Sequence, residues 1–467
     1  MVFNSVWFVF VFLPLSLLLY YLFPKKLRRI PLLLTSLVFY AWGDPKALVL
    51  LLFAVLFNYL VGLQMRTCDA SGREGLRRMA FITGVIVDVA VLLFFKYWDS
   101  GAEALYARTG VRVLSGGLAS PLGVSFYTFT VLSYLIDVYR RSAPAETNLL
   151  DMAVYVSFFP KISMGPIVRY EEIQDQLKRR ETSLSDVGVG VHRFLRGLIK
   201  KVLLADNLGV AFSAISGMSS MASATAWLGM IFYSLQLFFD FSGYSDMAIG
   251  MARMFGFRFA KNFDHPYCSG SVSEFLRRWH ISLGAWFREY IYIPLGGNRR
   301  RPGRVAFNLL VVWVLTGIWH GSTLNFLCWG LYHGLFVLLE RFVLGDAWER
   351  IPKPLRVLPT CLVVFFGWVM FFSGSMPEAL AYYAQMFGGS HRGFFDGTTA
   401  YYLRTNLVLL VAAVLCSSPL VSRWREKLVT GSRLGTYLCA GAYSVLFVLA
   451  VAFMMSSTYS AFLYAQF

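Results

Sequence analysis

The sequence predicts an all-α protein that crosses a membrane many times, and three observations carry that prediction. Hydrophobic residues make up 57% of the 467 residues and charged residues only 15%, whereas soluble domains carry about a quarter of their residues as charges. The apolar residues gather into about 12 runs of roughly 15 to 20 residues, close to the length that spans a hydrocarbon core. Basic residues fall in the short loops between these runs, which is how orientation in a membrane is encoded.

In chain order, the run from Phe3 to Phe23 is expected to be a retained transmembrane helix. It has no basic region ahead of it and no small-residue cleavage site, and Lys25, Lys26, Arg28 and Arg29 follow it. Further runs cover residues 30–43, 47–65, 79–98, 121–139, 204–217, 225–242, 305–320, 324–343, 358–374, 406–421 and 436–456. The loops at 24–29, 66–78, 140–203, 243–304, 344–357 and 422–435 are basic, and those at 99–120, 218–224, 321–323 and 375–405 are nearly neutral. Placing the basic set in the cytoplasm puts both termini outside and makes the number of crossings even.

Several inner-side stretches are unlike ordinary loops. Residues 152–169 are apolar but interrupted by Pro160, Lys161, Gly165 and Pro166, which suits a re-entrant or interfacial segment. Residues 189–204 set His192, Arg193, Arg196, Lys200 and Lys201 among Phe194, Leu195, Leu198, Ile199, Val202 and Leu203, the pattern of a helix lying in the membrane surface. Asp240, Ser242, Tyr244, Ser245 and Asp246 cluster at the inner end of a membrane helix. They either line a polar path or cap a helix terminus.

Residues 271–290 divide at 100° per residue, with Trp279, Leu283, Trp286 and Tyr290 on one side and Arg277, His280, Gly284 and Arg288 on the other. One amphipathic helix with a cationic face is expected, and on that face His280 reads as a residue meeting lipid phosphate. Beyond it, no charged residue occurs between Arg304 and Glu340. As a single helix this stretch would be roughly 50 Å long against a core of roughly 30 Å, so it must turn back. The turn signal is Gly321-Ser322-Thr323. His320 therefore ends a hydrophobic helix, an ionisable group at membrane depth of the kind kept for internal cavities and pathways. Its alternative fate is an imidazole bonded between helices. His333 reads as packing, and His192, His265 and His391 draw no specific role.

Other classes fall away. The net charge of +17 is spread over topogenic loops, so nucleic acid is not an expected partner. Six scattered cysteines without C-x-x-C spacing indicate neither a disulfide framework nor a metal site. With no glycine-rich phosphate loop, no H-E-x-x-H and no G-x-S-x-G in the chain, an enzyme here is expected to use a histidine and a bound coenzyme, without a metal.

Four blocks carry a family resemblance: PLGVSFYTFTVLSYLIDVYR at 121–140, FFDFSGYSDMAIG at 238–250, RRWHISLGAWFREYIYIPLGGNR at 277–299 and LTGIWHGSTLNFLCWGLYHG at 315–334. In this order they resemble the membrane-bound O-acyltransferase family, and within it the bacterial branch that includes the membrane subunit of alginate O-acetylation. The resemblance implies one domain over 1–467 with its signature core at about 121–343, built as a ring of tilted helices around a central funnel. It implies that His320 is the catalytic membrane histidine and His280 the second, cytoplasmic-side histidine. It also implies acetyl-CoA as donor, a polysaccharide acceptor outside the cell, and a separate SGNH-hydrolase-like partner that completes the transfer.

On that basis His320 is expected to activate the acceptor hydroxyl as a base or to carry the acetyl group covalently. Arg277, Arg278 and Arg288, with Trp279, suit the phosphates and arm of the coenzyme, and Trp319, Asp240, Ser242 and Tyr244 suit the substrate path. D-alanyl or other acyl transfer to teichoic acid or peptidoglycan is the alternative within the family. A transporter without chemistry is the alternative outside it.

Overall fold

The computed structural model describes residues 2–111, 120–389 and 392–456; His391 lies outside the described residues. The described residues form helices and no strand; helices satisfy their backbone hydrogen bonds internally, as lipid requires. Six helices are long and apolar enough to cross a membrane: Ala47–Ala70, Glu74–Thr109, Pro302–His320, Leu324–Glu349, Lys353–Phe372 and Arg433–Ser456. The pair Gly397–Thr405 and Leu407–Ser417, bent by 59°, makes a seventh if it is one span. This is a multi-pass membrane protein.

Each run read from the sequence falls on a helix, yet not every helix is a simple crossing. Phe8–Leu22 is short, Arg29–Gly43 has 15 residues, Val124–Arg140 has 17 and Asp206–Ser216 has 11. Ser223–Met254 is long, at 32 residues, but studded with polar side chains. It runs straight through Ser242 and Ser245, so neither serine caps a helix end; both are buried in its interior turns.

Contacts gather the chain into two units, Met1–Phe194 with Ser245–Ala260, and Leu195–Tyr244 with Lys261–Phe467. In the first unit, Asn58 Nδ2 donates to Asp88 Oδ1 at 2.9 Å between two membrane helices, and Arg29 meets Asp151 at 2.9 Å. Residues 152–168 are buried throughout, so this segment is enclosed by protein and does not lie on a surface. Its helix Leu149–Ser157 starts at Asn148, whose side chain accepts from the Leu150 N–H, and stops where Phe158 and Pro160 break the pattern.

In the second unit the expected interfacial helix also changes character. After Ile199 the helix passes into a π-turn, Lys200–Ala205, which adds a residue to the turn and redirects the side chains beyond it. Lys201 is thereby aimed inward. It is 1% exposed and its Nζ lies 2.6 Å from Asp206 Oδ1 and 2.7 Å from Asp240 Oδ1. Lys201 is a buried structural cation and not part of a lipid-facing basic stripe.

Candidate active site

The site is assembled entirely within the second unit, starting from the hairpin formed by Pro302–His320 and Leu324–Leu339. Gly330 and Gly334 stand four apart, the small-residue spacing that lets membrane helices touch backbone to backbone. A β-carbon on Gly317 would lie 2.6 Å from the Phe326 carbonyl oxygen, and one on Gly334 would lie 3.0 Å from the Trp313 side chain. Close approach of the two helices thus depends on hydrogen side chains. Gly317→Ala should force the hairpin apart, costing about 1–3 kcal/mol by overpacking and displacing the helix end at His320, three residues on. Gly303→Ala, on the same helix with nothing within 4 Å of its β-carbon, should leave detergent-solubilised stability and activity at wild-type values. Equal stability of the two variants would refute the close-packing account.

His320 is the last residue of its helix, before the extended Gly321 at φ −177°. It is 4% exposed. Rings enclose it: Trp319 at 4.6 Å between centroids, Trp329 edge-on at 4.9 Å and Phe371 edge-on at 5.1 Å. Phe371 is held there because Asn325 Nδ2 donates to the carbonyls of Met370, at 3.0 Å, and Ser373, at 2.6 Å. The next helix is thereby tied to the hairpin turn. The predicted turn at Gly321-Ser322-Thr323 and the terminal position of His320 are both observed.

The expected single helix over 271–290 is not. Val272–Arg278 ends at Trp279, and Ile281–Phe287 starts afresh with His280 as its N-cap in a left-handed conformation, φ 46° and ψ 54°. Residues other than glycine adopt that conformation only when their surroundings hold them in it. The break turns His280 away from the cationic face. Instead of meeting lipid phosphate it is 2% exposed, with Phe241 edge-on at 4.6 Å and Nδ1 3.3 Å from Asn262 Oδ1. Burial pushes its pKa down to about 3, so the ring is neutral at physiological pH.

Arg277 and Arg288 remain exposed. Arg278 is tied at 2.8 Å to Glu274 and at 3.2 Å to the Asp264 carbonyl. Arg277 and Arg288 therefore offer an exposed basic surface, with the half-buried, paired Arg278 beside them, and His280 does not share it. Trp279 faces inward too, packed on Phe263 at 5.1 Å and Trp368 at 5.0 Å.

These contacts link the two histidines through rings. His280 meets Phe241, Phe241 meets Phe263 at 5.0 Å, Phe263 meets Trp279, and Trp279 meets Trp368. Trp368 meets Phe371 at 5.5 Å, and Phe371 meets His320. Each tilted or edge-on pair adds about 0.5–1.5 kcal/mol beyond its area. The physical consequence is a largely apolar, low-dielectric wall between two imidazoles. Ser242 and Tyr244 are buried on the helix that supplies Phe241, and Asp240 on that helix is engaged by Lys201.

A family model described as MBOAT, membrane-bound O-acyltransferase family, matches residues 36–376. The chain belongs to the membrane-bound O-acyltransferase family. It is 42% identical over 419 residues to a protein of Azotobacter vinelandii named probable alginate O-acetylase AlgI, covering 89% of this chain and 83% of that protein. It is 34% identical to the peptidoglycan O-acetyltransferase of Helicobacter pylori, over 83% of this chain and 80% of that protein. The teichoic acid D-alanyltransferase of Bacillus subtilis is more distant, 28% identical over 62% of this chain and 76% of its own length. The chain is an O-acyltransferase.

Sequence reasoning missed Asn262, Lys201 as a buried ion, and the rings Trp329, Trp368 and Phe371. The spacing of Gly330 and Gly334 was a readable sign of the tight hairpin. Nothing local marks Asn262, whose partners lie eighteen and twenty residues further along the chain.

Proposed function

We propose that this O-acyltransferase takes acetyl from acetyl-CoA at the cytoplasmic face of a bacterial inner membrane and passes it toward an extracytoplasmic polysaccharide of the alginate type. The observation that carries this is His320, buried at the end of a membrane helix and linked by an aromatic wall to a second buried histidine. Likeness to proteins named alginate O-acetylase over most of both lengths supports the acetyl group and the polysaccharide class. The basic loops on one side support an inner-membrane orientation with both termini outside.

In this mechanism the acceptor hydroxyl oxygen attacks the thioester carbonyl carbon while His320 takes the hydroxyl proton. The carbon–sulfur bond breaks, and coenzyme A leaves as the thiolate. Exposed Arg277 and Arg288, with Arg278, hold the coenzyme phosphates at the inner mouth. Trp319, Ser242 and Tyr244 border the path, Trp279 stiffens its wall, and Asp240 acts on it indirectly by holding Lys201 in place. The acetyl ester formed in this step lies on an intermediate hydroxyl at the outer side; a separate SGNH-hydrolase-like protein then moves the acetyl group to a polysaccharide hydroxyl, and the intermediate hydroxyl is released.

Inverted vesicles given acetyl-labelled acetyl-CoA test this reading. Label should reach a polysaccharide acceptor only when the chain and the partner are both present. Label from a D-alanyl carrier-protein thioester, with none from acetyl-CoA, would assign the chain to the chemistry of its more distant relatives.

A further inference from the structure

We propose that Asn262 is the positioning residue that sets the tautomer of His280, placing the proton on Nδ1 and presenting the Nε2 lone pair to the acyl-transfer site. The inference rests on the reading of His280 as part of that site.

Ser282 settles which way the Asn262 amide is turned. Its backbone N–H, which can only donate, lies 3.1 Å from Asn262 Oδ1, and its Oγ lies 2.9 Å from the same atom. That atom must be the amide oxygen, because an NH2 group there would face the backbone donor. His280 Nδ1 is 3.3 Å from this oxygen, so Nδ1 is the nitrogen that carries the hydrogen. In a neutral imidazole the lone pair is then on Nε2.

Asn262 also fixes the backbone. Its carbonyl accepts the Ile281 N–H at 2.9 Å, directly after the left-handed His280, so one residue holds both the strained main chain and the ring it presents. Charges on the neighbouring elements are engaged elsewhere: Asp264 with Lys261 at 2.9 Å, Arg278 with Glu274 at 2.8 Å and Asp240 with Lys201 at 2.7 Å, while Arg277 and Arg288 are exposed. With Phe241 against its ring, His280 is set as an acceptor of a proton or hydrogen bond, and not as an acid.

The test uses the full-length chain in vesicles. Asn262→Ala should lower kcat about 100-fold, the effect of misplacing a group at the site by about 1 Å, with the KM for acetyl-CoA nearly unchanged, since Asn262 does not touch the donor. Asn262→Asp keeps an acceptor at Nδ1 but adds a negative charge, which raises the histidine pKa by about 1–3 units. Its activity should therefore be lost on acidification at a higher pH than in wild type, and recover toward wild type as the pH rises. In 15N-histidine-labelled protein, with His280 assigned from its absence in His280→Gln, the spectrum should show a protonated Nδ1 and an unprotonated Nε2. A protonated Nε2 in wild type, or an Asn262→Asp variant with the wild-type pH profile, would overturn the proposal. Wild-type transfer by His280→Gln would instead overturn the assignment of His280 to the site, with the tautomer still decided by the spectrum.

Discussion

Replacing His320 by alanine is expected to lower acetyl transfer by about 10²- to 10⁴-fold, the contribution of a positioned general base, with unchanged insertion in the membrane. The size of the effect comes from the enclosure. Trp319, Trp329 and Phe371 pack around the ring, and none of the three has a basic nitrogen to substitute for it. The fold should survive, because the hairpin is held by the glycine contacts at Gly317 and Gly334 and by the Asn325 anchor, none of which uses the imidazole. His320→Gln separates chemistry from packing. Glutamine is close in size and makes hydrogen bonds but does not take a proton near neutral pH. Both variants should be inactive and extractable as folded protein. Wild-type transfer by His320→Gln would remove the base mechanism, and restored activity in the glutamine variant alone would reduce His320 to a packing residue.

How far the site was legible depends on whether its determinants are local. Helices could be located because hydropathy is a property of each run by itself, and the His320 hairpin because a charge-free stretch too long for one crossing contains a Gly-Ser-Thr turn. His280 could not be placed. Projection at 100° per residue assumes an unbroken helix, and the break at Trp279 and His280 is imposed by Asn262, whose side chain and carbonyl hold the restart of the helix from a distance along the chain. Periodicity assigned Trp279 and His280 to opposite faces; the left-handed residue sends both inward. Lys201 failed for a related reason. A cation among apolar residues reads as interfacial, and only the π-turn together with carboxylates at Asp206 and Asp240 makes burial tolerable.

That buried cation sets the second large effect. Lys201→Met should destabilise the protein by about 3–5 kcal/mol, the usual consequence of removing one partner from a buried ion pair. The cost lies in the two carboxylates left behind. Asp206 is 7% exposed and Asp240 1% exposed, and without the ammonium between them they stand close together in a medium that solvates neither. The same reasoning predicts a rescue. Neutralising the carboxylates as well, in the triple variant Lys201→Met, Asp206→Asn, Asp240→Asn, removes the charges that needed compensation, and buried ion clusters replaced as a whole are often neutral or stabilising. The changes should be strongly non-additive, with the triple variant more stable than Lys201→Met alone. Activity should track stability, because Asp240 lies one residue before Phe241, which packs on His280. Denaturant titration of the purified protein in detergent measures the first quantity and acetyl transfer in vesicles the second. A Lys201→Met variant as stable as wild type would show that the triad carries no structural charge balance. A triple variant with restored stability and no transfer would show instead that Asp240 or Lys201 acts on the substrate directly.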